Sequence, residues 1–169
     1  MSILKKIDKH IEEWILVTLL TVSLTSITLQ ICMRFIFGNS LSWSEELARY
    51  CFIWLIYIGI AYGVKRARHI TLDIAFDLVP DTFKKILLVV SNVLVGIFAL
   101  AVIYYSVFLI EQLATFGQTS AAMRLNMVWV YLSVPIGMLL TIIRLVQNTS
   151  YIIKNWDSVL TDEKVIGGE

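Results

Sequence analysis

Few side chains in this sequence are equipped for chemistry, and their spacing is wrong for most of it. Two histidines, His10 and His69, could ligate a haem between helices, but both fall outside the apolar stretches where such a group would sit. Cys32 and Cys51 have no CxxC neighbour and no metal-ligand spacing, so buried thiols are expected and no disulfide framework can form. Glu45 and Glu46 invite reading as a carboxylate pair, yet adjacent helical residues point about 100° apart and do not share a site. There is no HExxH, no nucleophile beside a base and no phosphate-cradling glycine loop. No catalytic residue, metal site or cofactor is expected.

The unusual set is instead a group of charged and aromatic residues around one hydrophobic stretch: Arg34, Phe35, Trp43, Glu45, Glu46, Arg49, Trp54, Lys65, Arg66, Arg68 and His69. An interfacial aromatic belt with snorkelling cations is the ordinary account of Trp, Lys and Arg near membrane surfaces. A docking face for another protein is the sharper alternative. Arg34, Trp43, Glu45, Glu46, Arg49, Trp54, Arg66 and His69 are the interface candidates.

Positioning these residues requires a membrane. Of the 169 residues, 58% are hydrophobic and 16% charged, where a soluble domain carries about 25% charged; the mean hydropathy is +0.78. A net charge of +1 leaves no electrostatic footprint for nucleic acid. Four stretches lack Asp, Glu, Lys and Arg: Trp14 to Met33, Tyr50 to Val64, Ile86 to Ile110 and Leu125 to Ile143. Roughly 20 helical residues cross the ~30 Å hydrocarbon core, so the first, third and fourth suffice alone. The second gains length upstream, because Ser42-Trp43-Ser44-Glu45 has the form of a capping box and Glu45 can pair with Arg49 one turn on. Pro80-Asp81 marks the start of the third helix in the same way.

The expected fold is all-α and integral to the membrane, one four-helix domain over residues 1–160 with spans at about 14–33, 43–64, 86–110 and 125–143. Residues 161–169 are expected to form a flexible tail. Residues 70–79 alternate apolar and polar side chains, and a short interfacial amphipathic helix is favoured there over a lone strand, whose backbone would go unpaired. Lys and Arg beside the spans divide eleven to three, with only Arg34, Arg49 and Arg124 on the minority side, which places both termini in the cytoplasm. Trp14 to Met33 is too long for a signal h-region and is expected to be retained.

Within the spans, Thr18, Thr21, Thr25 and Thr28 form a stripe of small hydroxyls suited to helix packing, or to bonding their own backbone. Gly59 and Gly63 have GxxxG spacing, and Pro135 with Gly137 would bend the fourth span or thin its contact with a neighbour. No ionisable residue lies at any span centre, so ion or proton coupling has no equipment here. A self-contained four-helix exporter working as a homodimer is the alternative, and it lacks the first-span carboxylate such proteins need.

Arg34-Phe35 at the end of the first span, Trp43-x-Glu45-Glu46-x-x-Arg49 opening the second, Trp54 and Gly59 within it, and Arg68-His69 with Asp73 carry a resemblance, joined by Gly117-Gln118-Thr119 and Trp129-Val130-Tyr131 with Pro135-x-Gly137. Over residues 5 to 155 the sequence resembles the small, DctQ-like membrane subunit of tripartite ATP-independent periplasmic (TRAP) transporters, most of all the members for sialic acid. The resemblance implies a non-catalytic scaffold in the bacterial inner membrane. It would bind a large DctM-like membrane subunit that carries substrate and Na⁺ sites, and a periplasmic substrate-binding protein would deliver an organic acid.

Overall fold

The computed structural model describes residues 2–66 and 81–154. The interfacial segment expected at 70–79, His69 and the tail at 161–169 lie outside the described residues. Helix α1 spans Ser2–Ile36, α2 Ser42–Arg66, α3 Asp81–Thr115, α4 Met127–Tyr131 and α5 Ser133–Lys154. Four stretches are long and apolar enough to cross a membrane, the last running through α4 and α5 together. The all-α, four-span membrane fold expected from the sequence is therefore present.

The helices outrun the expected spans. At about 1.5 Å per residue, the 35 residues of α1 and of α3 each reach about 52 Å, so their ends extend beyond the hydrocarbon or the helices tilt. The third helix does begin at Asp81. At the start of α2 the capping box is replaced by a tighter turn: the Ser44 amide and hydroxyl both donate to the Leu41 carbonyl, at 3.2 and 2.7 Å. Glu45 turns away from the helix end toward Gln30 and Arg49. The fourth span breaks at Leu132, whose amide still reaches the Val128 carbonyl at 2.9 Å. Pro135 follows at the third position of α5, where its missing N–H costs little.

Packing follows a chain of pairs, with α1 on α2, α2 on α5 and α3 on α5. Periodicity explains each seam. From Ile11 onward, every residue of α1 that is not fully exposed lies on one stripe, Glu12, Leu16, Leu19, Ser23, Ser26, Gln30 and Met33, apart from Glu13. Steps of four and three are those of a left-handed helix pair. On α2 the residues that meet α1 include Glu45, Ala48, Gly59, Tyr62 and Lys65. Small residues recur on these seams, as they should where apolar burial supplies no drive and backbones must approach. The closest approach is between α2 and α5. A Cβ added at Gly137 would lie 2.6 Å from Tyr57 Cβ and 2.7 Å from its carbonyl oxygen. Gly137 thus deepens the contact with a neighbour, contrary to the thinning expected. On the other flank of α5, Asn92 of α3 donates to Thr149 Oγ1 at 3.1 Å.

Candidate functional site

Two polar sites sit at opposite ends of the helices, and both draw on residues far apart in sequence. At one end, Glu12 is only 3% exposed and is shared by two cations. Arg144 of α5 reaches its Oε1 from Nε at 2.8 Å and from Nη2 at 2.6 Å, while Lys65 of α2 holds Oε2 at 2.9 Å. Arg144 Nη1 also donates to Gln147 Oε1 at 2.8 Å. A buried carboxylate is tolerable only with such pairing, and here one carboxylate ties three helices together. Beside it Arg66 reaches Glu13 at 2.6 Å and stacks over the Tyr62 ring at 5.4 Å. Tyr62 in turn donates to Glu13 at 3.0 Å.

At the other end, Glu46 accepts from two consecutive backbone amides, Ala122 at 3.0 Å and Met123 at 2.9 Å. They belong to the loop between α3 and α4. Gly117, at φ +59°, stops α3, with the Gln118 amide returning to the Leu113 carbonyl and its own amide to Ala114, so two terminal carbonyls are satisfied. Ser120 and Leu125 exchange bonds, Met127 donates to the Gln118 carbonyl, and the Asn126 side chain caps α4 by accepting from Val128. Arg124, at φ +51°, makes the turn. Glu46 therefore fixes the conformation of this loop from a neighbouring helix. Glu46→Ala should free the Ala122 and Met123 amides and accelerate their hydrogen exchange by about tenfold or more. Unchanged exchange at both amides would contradict the assignment.

The remaining sequence candidates divide. Glu45 and Arg49 form an exposed pair at 3.5 Å, with Gln30 reaching Glu45 at 3.3 Å. Glu45 and Glu46 point to different neighbours, as adjacent helical positions require. Arg34, Trp43 and Arg66 are exposed and Trp54 is half-buried. Gly59 sits 3.9 Å from Leu16 by its virtual Cβ, whereas Gly63 faces open space. Thr18, Thr21, Thr25 and Thr28 lie on the outer face of α1, where Thr18 and Thr21 donate to the Trp14 and Val17 carbonyls at 2.8 and 2.7 Å. The self-bonding alternative holds for those two, and Ser23 and Ser26 line the seam with α2 instead. Ser23 donates to the Ala48 carbonyl at 3.3 Å. Among the described residues no group of three His, Cys, Asp or Glu side chains could hold a metal ion.

Glu12, Arg144 and Gly137 are the residues that pattern reading did not place at a site. Glu12 and Arg144 flank uncharged stretches, so each looks like an ordinary edge charge, and only their separation by 132 positions conceals that they meet.

This assembly of four candidate spans matches a known family. Residues 23–155 match the family described as tripartite ATP-independent periplasmic transporters, DctQ component. The chain belongs to the DctQ family. It is similar to the sialic acid TRAP transporter small permease protein SiaQ of Vibrio cholerae, 33% identical over 145 residues that cover 81% of this chain and 78% of that protein. It is also 32% identical over 153 residues to the isethionate TRAP transporter permease protein DctMQ of Oleidesulfovibrio alaskensis, covering 87% of this chain. That match spans only 24% of the isethionate permease. A match of 27% identity to the sialic acid permease protein SiaT of Haemophilus influenzae likewise spans 25% of that protein. This DctQ chain is thus a small permease subunit of a TRAP transporter, a multi-pass membrane protein rather than an enzyme.

Proposed function

We infer that the subunit is a static, non-catalytic scaffold for the large membrane subunit of its transporter. The observation that carries this is the pair of longer relatives in which a unit similar to this chain makes up about a quarter of one polypeptide. A unit kept covalently beside a larger membrane protein in some relatives serves as that protein's bound partner where the two are separate. The helix surfaces support the reading. The uncovered face of α3 carries Leu94, Ile97, Phe98, Leu100, Tyr104 and Tyr105, all 60% exposed or more, so much apolar surface remains for lipid and a partner.

In this reading the large subunit imports an organic acid with Na⁺, sialic acid being the first to test, after a periplasmic binding protein delivers it. The complex sits in the bacterial inner membrane with both ends of this chain in the cytoplasm, as the eleven-to-three division of Lys and Arg favours. Exposed Arg34, Trp43, Glu45 and Arg49 are the first candidates for the partner interface. A tagged copy should co-purify with a much larger membrane protein, and uptake into proteoliposomes should need both. Full-rate uptake by the large subunit alone, with this chain never retained, would sink the proposal.

Arg49 offers a residue-level check. Its pair with Glu45 is more than 60% exposed on both sides, so Arg49→Ala should change the subunit's own stability by under about 1 kcal/mol. Its co-purification with the large subunit should nevertheless fall more than that of Lys164→Ala. Equal recovery of the two variants would remove Arg49 from the interface.

A further inference from the structure

The seam between α1 and α2 is built so that it could slide. The α1 stripe steps by four and three, and a heptad-spaced face superposes on itself after seven residues, a shift of about 10.5 Å. In water, burying apolar side chains would penalise a poor register. In lipid that drive is missing, and packing and polar contacts must set the register instead. The middle of the seam has the Ser23 hydroxyl on the Ala48 carbonyl at 3.3 Å as a polar contact, with Leu16 beside Gly59. At the Glu45 end, Gln30 makes one exposed contact of 3.3 Å.

We propose that Glu12 is the register lock of α1, a single buried carboxylate that seats the helix only where Lys65 and Arg144 can hold it together. The geometry supports this in three ways. Each carboxylate oxygen is committed to a different helix, Oε1 to Arg144 of α5 and Oε2 to Lys65 of α2, so neither translation nor rotation of α1 preserves both bonds. The neighbouring Glu13 meets Arg66 and Tyr62, both of α2, and Arg66 is 56% exposed, so its side chain can follow a moving partner. The sequence also punishes both heptad slips, since position 12 would be taken by Leu19 in one direction and by Lys5, a further cation, in the other. Because Arg144 belongs to the last span, the final register of α1 is set only once α5 is in place. A polar group that specifies register at some cost in stability is the best-attested role of buried ionic groups.

Oxidative cross-linking in membranes tests this with the full chain carrying Cys32→Ser and Cys51→Ala. A protease site between α1 and α2 reports whether the two helices are joined. Ser23→Cys with Ala48→Cys reads the native register, and Leu16→Cys with Ala48→Cys reads a slip of one heptad. With Glu12 present, only the native pair should cross-link under copper–phenanthroline. The triple variant E12M/K65M/R144M removes all three charges while keeping apolar volume, which commonly preserves stability. In it the slipped pair should rise about tenfold while the native pair falls. Glu13→Gln should change neither. A triple variant that migrates as a folded monomer and cross-links only in the native register overturns the proposal. Should the triple variant fail to accumulate, Glu12→Gln is read by the same pairs, and native-only cross-linking there overturns it equally.

Discussion

Replacing Glu12 by alanine is expected to destabilise the subunit by about 3–5 kcal/mol, the usual result when one partner of a buried ion pair is removed and its cations stay behind. The lower end of that range is the better expectation in lipid, where the unfolded reference state also finds polar partners. Even about 3 kcal/mol shifts the folded population more than a hundredfold. Arg144→Ala should cost less, because Glu12 keeps Lys65 at 2.9 Å. Lys65→Ala should cost least of the three, since the Lys65 side chain is 21% exposed and Glu12 keeps both bonds from Arg144. Unfolding in mixed micelles, followed by tryptophan fluorescence, measures the series. An order with Lys65→Ala most damaging, or three values within about 0.5 kcal/mol of the change for Arg49→Ala, would mean that the cluster does not hold α1, α2 and α5 together.

The cluster also marks where sequence reading stops. Helix number, the α2 start near Trp43 and the α3 start at Asp81 follow from local signals: charge-free length, a turn residue, a cap. Each involves residues within a turn or two, and the structure keeps both starts, with the Ser44 turn on Leu41 in place of the cap at α2. The partition of neighbours is different in kind. Glu12 and Arg144 read locally as edge charges, and the threonines of α1 read as a stripe for packing or for bonding their own backbone, with nothing to single out Ser23 and Ser26. Composition favoured the threonines, four of them at regular steps. What decides the inner face is the position of Glu12 and Gln30, which share a stripe with Ser23 and have partners on α2. That information lies in the pairing of distant segments, which a single sequence does not display. Of the interface candidates, Glu46 is turned to an internal task that a cap-like position did not announce.

Glycine 137 carries the second large effect. Its absent side chain lets α5 lie against the backbone of Tyr57, with the missing Cβ position 2.6 to 2.8 Å from Tyr57 Cβ, carbonyl oxygen and carbonyl carbon. Two of those three atoms are main chain, so no rotamer change can relieve the contact and the helices must separate. Overpacking of this kind costs about 1–3 kcal/mol for alanine and more for valine, and the Thr141 hydroxyl bonded to the Gly137 carbonyl at 2.9 Å would move with it. The control is Gly63, which has the same helical conformation and nothing within 4 Å of its virtual Cβ, so Gly63→Ala should be neutral or slightly stabilising. Separation of α2 from α5 would also stretch the Glu12 bonds to Lys65 and Arg144, so Gly137→Ala and Glu12→Ala should be non-additive, their double variant costing less than the sum. Simple additivity, with Gly137→Ala no worse than Gly63→Ala, would show that the tight seam and the ion cluster are not parts of one packed unit.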